Sequence, residues 1–132
     1  MSHERARRRT VEASPRRARA KLEQVRVVVE TDPDPDISYL EQDEFEDRLA
    51  AYQRGDFTFV GVRAEADVII GGVVQTLTSG GLWGVESDSD PAYVEEIADE
   101  EYNELRKILK DIGVATSELP DQLDRRKIEW RA

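Results

Sequence analysis

The clearest pattern in the chain lies at residues 57–70, FTFVGVRAEADVII. From Val60 every second position is apolar (Val60, Val62, Ala64, Ala66, Val68, Ile70), and Arg63, Glu65 and Asp67 stand between them. A period of two predicts a strand with one face buried and one wet. Gly71-Gly72 then offers a two-residue turn with free access to positive φ. VVQTLTS returns as the partner strand. A turn of that length pairs Ile70 with Val73, Ala66 with Leu77 and Ala64 with Ser79, all expected to face inward. Val68 falls opposite Gln75, an imperfection that a bulge would repair. LWGVE at residues 82–86 is expected as a third strand of the meander, connected through Gly80-Gly81. VRVVV at 25–29, rich in β-branched side chains, reads as a further short strand.

A period near 3.6 governs residues 91–112. Val94, Ile97, Ala98, Leu105, Ile108, Leu109 and Ile112 form one stripe, which predicts a long amphipathic helix. Asp90 stands where an N-cap belongs, Pro91 at the first helical position, and Gly113 where the helix should close. A shorter helix is expected over 42–54, with Phe45, Leu49 and Tyr52 on its apolar side, Asp43 as cap and Gly55 as terminator. Leu123 and Trp130, seven apart, suggest a short helix over 119–130. Between the first strand and the shorter helix, Pro33 and Pro35 interrupt regular pairing. These elements give an α+β fold: an antiparallel three- to four-stranded meander packed against the long C-terminal helix. Three segments follow: 1–24 as a basic N-terminal arm or surface helix, 25–113 as the α+β domain, and 114–132 as a polar tail.

Charge changes this picture more than composition does. Of 132 residues, 36% are charged and the net charge is −10. Residues 30–47 contain nine acids and no base, and so do residues 86–105. Self-repulsion on this scale opposes a compact state. The arm, with RARRR and RRARAK, is the candidate to offset it, within the chain or across a homodimer. The chain has no cysteine, which excludes disulfides and thiolate metal sites. No apolar run approaches a membrane span, and the arm lacks the apolar stretch of a secretory signal. The expected location is the cytoplasm.

Catalytic motifs are lacking. There is one histidine, His3, no cysteine nucleophile, no G-x-S-x-G elbow, no Walker loop and no G-x-G-x-x-G. No cofactor is implied. Asp32-x-Asp34-x-Asp36 begins like an EF-hand, but Ile37 stands where that loop needs glycine and Asp43 where it needs glutamate. The arm arginines Arg7, Arg8, Arg9, Arg16, Arg17 and Arg19 are of a kind that contacts phosphates, although no aromatic interleaves them for base stacking. Neutralising the acidic body is the simpler role for them.

The densest stretch is SGGLWGVESDSDP, residues 79–91. Turn glycines, a strand and a helix cap account for much of it. They leave over Gly84, because a glycine inside a strand marks a bulge or a close approach, and three alternating acids, Glu86, Asp88 and Asp90. One reading makes Gly80–Asp90 a loop for a small ligand or a cation. The other makes Trp83 an anchor within an acidic surface, since tryptophan is enriched at binding hot spots.

At DPDISYLEQ, FVGVRAEADV and LTSGGLWGVESDSDPAYVEEI, the chain resembles a family of small acidic, largely uncharacterised proteins encoded by bacteriophages and mobile elements. The resemblance runs from Asp32 to Gly113. It implies a mobile-element accessory protein, and such proteins often bind a host protein. The leading expectation is therefore a non-enzymatic interaction module. Its acidic surface would be built from residues 30–47 and 86–104, with Trp83, Glu86, Asp88, Asp90, Glu95, Glu96, Asp99 and Glu100 as partner-binding residues, docking on a basic nucleic-acid-binding surface. An anti-defence inhibitor of a CRISPR or restriction complex is one instance. The alternatives are the ligand or cation loop, and a nucleic-acid accessory protein acting through the arm.

Overall fold

The structure, a computed structural model, describes residues 20–132. The expected basic arm, with the six arginines named above, lies outside the described residues apart from its last few positions. The fold is α+β: a mixed five-stranded sheet with two helices. The strands are β1 (Lys21–Thr31), β2 (Phe59–Ile70), β3 (Val73–Thr78), β4 (Leu82–Glu86) and β5 (Ile128–Trp130); the helices are α1 (Glu46–Arg54) and α2 (Pro91–Asp111).

The β2–β3 hairpin has the expected register, with Ile70 opposite Val73, Ala66 opposite Leu77, and the Ser79 N–H donating to Ala64 O. Val68 opposes Gln75 with no bulge between them. Gln75 is exposed, so the mismatch needs no repair. Ile70 and Val73 are also exposed rather than turned into a core, because the hairpin tip is left uncovered.

The third strand departs from a simple meander. β4 pairs with β2, not with β3. β2 has twelve residues and β3 six, so β3 covers only the second half of β2. The chain then continues along the same edge, with Val60 opposite Val85 and Phe59 opposite Glu86. The register slips by one residue on passing from β3 into β4 and again between Val60 and Val62. Gly81 (φ 83°) and Gly84 (φ 75°) take the left-handed geometry that lets a strand absorb such extra residues. That is what the glycines of the 79–91 stretch do.

β1 begins at Lys21, earlier than its β-branched run, and pairs antiparallel with β2 over nearly its whole length. The segment after α2 is not a helix. Val114 and Leu123 are buried in the same core, a single 3-10 turn spans Arg125–Lys127, and the chain ends as β5, parallel to β1. Asp124 accepts from the Arg126 N–H to start that turn, and the Arg131 N–H donates to Val29 O at 2.7 Å. Trp130 is exposed, so its spacing of seven from Leu123 reflects no helical face.

One face of the sheet (Val25, Val27, Val29, Val60, Val62, Ala64, Ala66, Val68) packs against Val94, Ile97, Ala98, Tyr102, Leu105 and Leu109 of α2. Asp90 caps α2 by accepting from the Ala92 N–H, with Pro91 at the first position, as the sequence predicts. Ile112 is exposed and falls off the predicted stripe, while Tyr102 joins it. The opposite face carries a second, aromatic cluster at one end. Leu40, Phe57 and Phe59 are buried there beneath Tyr39, Phe45, Leu49 and Tyr52. Here α1 starts at Glu46 behind a 3-10 turn, with Phe45 at the cap position and no side-chain cap bond, so Asp43 does not have the role the sequence suggested. Gly55 ends α1 at φ 82° as expected.

The rest of the opposite face is charged but not wet throughout. Glu65 is only 4% exposed. Arg26 Nε donates to its Oε1 at 2.9 Å and Arg63 Nε to its Oε2 at 3.0 Å. Arg26 also grips Asp67, Arg63 pairs with Glu30, and Arg131 lies 3.8 Å from Glu65. Burial opposes ionisation of Glu65, but Arg63 and Arg26 outweigh it and hold the carboxyl below its usual range.

Candidate docking surface

Residues 79–90 are held from both sides of the sheet. On the α2 side, the buried Glu101 accepts from Ser79 Oγ at 2.7 Å and from the Gly81 N–H at 2.8 Å. Ser79 Oγ in turn accepts from the Ala64 N–H. The bulge at the β3–β4 junction is thereby tied to the helix that covers the core.

On the other side, Trp83 lies against Gly61. A Cβ added at Gly61 would fall 2.1 Å from the indole, so only glycine admits the ring there. The indole Nε1–H donates to Gly80 O at 3.2 Å, and the neighbouring Gly84 N–H donates to Asp32 Oδ2 at 3.0 Å. Trp83 is thus fixed in orientation yet 40% exposed. It packs on the face away from α2, so it does not share a surface with the helix acids.

Most of the predicted acids already have partners. Arg48 of α1 donates to both Asp88 oxygens, at 2.9 and 2.8 Å, and pairs with Glu86. The Arg48 Cζ sits 3.8 Å from the centroid of the Phe57 ring. Tyr39 donates to Glu86 Oε2 at 2.8 Å, and burial together with that carboxylate pushes its hydroxyl up to about 12. The Arg48 hydrogen bonds hold Asp88 below the usual carboxylate range and raise Arg48 itself. Asp90 is the α2 cap. Asp99 is bound through both oxygens by Arg125, at 2.6 and 2.9 Å, with Glu95 3.6 Å from the same guanidinium. Glu96 and Glu100 are exposed and form no ion pair among the described residues.

Four residues that organise the stretch escape a reading by local pattern: Asp32, Tyr39, Arg48 and Glu101. Gly61 escapes it too, although a glycine within an alternating strand was the available signal. Among the described residues, no group of three His, Cys, Asp or Glu is placed to hold a metal ion. The engagement of Glu86 and Asp88 by Arg48, and of Asp90 by the helix, is the physical reason for the loop. No helix among the described residues is long and apolar enough to cross a membrane.

The other acidic run is without ion partners over most of its length, although Asp36 accepts from the Ser38 N–H at 3.0 Å. Asp34, Asp36, Glu41, Asp43, Glu44, Glu46 and Asp47 are all exposed and form no ion pair among the described residues. Every described arginine, by contrast, lies within salt-bridge distance of a carboxylate. The 34–47 segment is anchored by Leu40 and by the edge-on packing of Tyr39 on Phe45, and it leads from Asp32, which holds Gly84 next to Trp83. Comparison with family models, with curated proteins and with solved structures finds no match.

Proposed function

We propose that the protein is a non-enzymatic interaction module that docks an acidic surface on a basic surface of a partner. The carrying observation is the set of seven exposed carboxylates at 34–47 without ion partners among the described residues, on the same side of the sheet as the exposed, oriented Trp83. Carboxylates left in excess after internal pairing give a one-signed field that steers association with a cationic groove. A rigid indole supplies apolar anchoring at low entropic cost. The fitting partner is a protein whose basic groove receives phosphates, and an inhibitor of a nucleic-acid-dependent defence complex of CRISPR or restriction type is the instance this reading favours. Of the predicted acids, Glu86, Asp88 and Asp90 then support the surface from within. The engaged state of those three also weighs against the ligand or cation reading of Gly80–Asp90.

The test is capture from bacterial lysate at low and high salt, followed by competition with duplex DNA. The expected result is a basic nucleic-acid-binding protein that is released by salt and displaced by DNA. Capture that survives Trp83→Ala combined with Asp43→Lys and Glu44→Lys, in a folded variant, would overturn the proposal.

A further inference from the structure

Residues 68–85 form a run of eighteen positions without a charge, in a chain where 36% of residues are charged. That run contains β3, which lies at the edge of the sheet and, among the described residues, pairs only with β2. Edge strands are ordinarily protected by charge, proline, bulges or brevity, because their unpaired N–H and C=O groups invite another strand. The opposite edge follows that practice: β5 has three residues, includes Glu129 and is followed by Arg131. β3 has none of these protections. Its sequence is VVQTLT, it pairs with β2 without irregularity, and Val73 and Val74 are each 56% exposed.

The two-residue hairpin decides which backbone groups are free. Val73 closes the turn against Ile70, and the Ser79 N–H donates to Ala64 O, so the odd positions Val73, Gln75 and Leu77 turn their backbone groups toward β2. Val74, Thr76 and Thr78 turn theirs outward.

We infer that β3 is a self-association edge, and that its occupant is β3 of a second copy of this chain, paired antiparallel about a twofold axis at Thr76. This register sets Thr76 against Thr76 of the second copy, Val74 against Thr78 and Gln75 against Leu77. Every facing pair is uncharged, and the threonine pair is a favourable cross-strand combination. Charge selects this occupant. A strongly charged partner strand finds no counter-charge on β3. Two copies of a chain with net charge −10 repel least where neither presents charge. Six residues per copy bury little area compared with a stable dimer, so the dimer depends on concentration. This inference does not rest on the acidic docking surface and carries the opposite salt signature: screening the mutual repulsion strengthens the dimer, whereas it weakens docking on a basic partner.

The test is sedimentation equilibrium of the full chain across a concentration series at low and high salt. The mass is expected to rise from 15.0 kDa toward twice that, and to do so at lower protein concentration in high salt. Thr76→Lys sets two like charges face to face across the axis and is expected to restore the monomer, while Thr76→Val keeps the dimer. Because Thr76 Oγ1 also donates to Asp67, folding of each variant is checked by circular dichroism. A variant-free readout runs in parallel. Amide exchange at Val74, Thr76 and Thr78 should slow about tenfold between dilute and concentrated wild-type protein, with Val73, Gln75 and Leu77 unchanged. A wild type that stays monomeric throughout overturns the proposal, as does a dimer whose Val74, Thr76 and Thr78 amides exchange independently of concentration. Should Thr76→Lys not fold, the exchange pattern decides alone.

Discussion

The two acidic runs of this chain hold the same number of carboxylates and put them to different use. Residues 30–47 and 86–105 each hold nine carboxylates and no base. In the second run, Glu86 and Asp88 are held by Arg48, Asp90 caps α2, Glu95 and Asp99 meet Arg125, and Glu101 is buried against Ser79 and Gly81. In the first, only Glu30 has an ion partner among the described residues, Arg63, while Asp32 and Asp36 accept from the Gly84 and Ser38 N–H groups. The difference follows from what each run is built on. The second passes through a strand end and a helix packed on the sheet, where distant arginines and backbone amides converge. The first passes through 3-10 turns anchored by a few aromatic and aliphatic side chains, with its seven acids beyond Asp32 left outward. A carboxylate's role is set by what packs near it, not by the density of its neighbours in sequence.

The comparison breaks most visibly at Glu101. Glu101→Ala leaves the Ser79 hydroxyl and the Gly81 N–H without their acceptor inside the structure, and is expected to destabilise the protein by about 2–4 kcal/mol. Glu101→Gln keeps an acceptor oxygen and should recover much of that loss. Denaturant unfolding of both variants checks this, and equal losses for the two would show that the bulge does not depend on the acceptor.

Arg48 comes next. Arg48→Ala leaves Glu86 and Asp88 facing each other without a cation and uncovers Phe57. The Arg48 side chain is 38% exposed, so solvent screens the ion pairs, and the expected cost is about 1–2 kcal/mol, shared between pairing and ring contact. Thermal melts in low and high salt separate the two shares, since only the ionic share is screened.

How far these arrangements could be read from sequence depends on the range of the interaction. The period of two over 60–70 and the Gly71-Gly72 turn yielded the hairpin and its register, because strand face and turn length are local properties. Asp90-Pro91 and Gly113 yielded the ends of α2 for the same reason. The site of β4 was not legible, because it depends on β2 being twice as long as β3 and on two extra residues absorbed at glycines. β5 was not legible either: IEW is too short to show a period, and its partner β1 lies about a hundred residues away. The engagement of Glu86 and Asp88 depends on Arg48, 38 and 40 residues distant, the first base after an all-acidic run. Spacing rules reach one turn or one hairpin and not that far.

The Arg48 contact also sets a pH dependence. Asp88 has its carboxyl lowered from an ordinary 3.8 by Arg48, so the folded form holds the ionised state more strongly than the unfolded chain does. That contribution is fully present above the unfolded value and is lost as pH falls through the lowered one. The melting temperatures of wild type and Arg48→Ala should differ most near neutrality, and the gap should narrow to the ring-contact share as pH falls below about 4. A gap that stays constant through that range would mean the ring contact, and not the ion pair, carries the effect of Arg48.

The smallest stability effect is expected where the functional effect should be greatest. Glu44 and Asp47 are exposed and have no ion partner among the described residues, so reversing both to lysine removes no contact. Each change should alter stability by no more than about 0.5 kcal/mol. The same holds for Glu96 and Glu100 on the outer side of α2. Partner association then distinguishes the two runs. With Trp83 and the 34–47 segment as the docking side, Glu44→Lys with Asp47→Lys slows association with the captured partner and flattens its salt dependence. Reversal at Glu96 and Glu100, on the other side of the sheet, changes the rate little, because screening over a Debye length of about 10 Å at 0.1 M salt confines each charge to its own neighbourhood. The opposite outcome, with the α2 pair slowing association and the 44–47 pair silent, would transfer the docking surface to the helix and leave Trp83 as a buttress on Gly61.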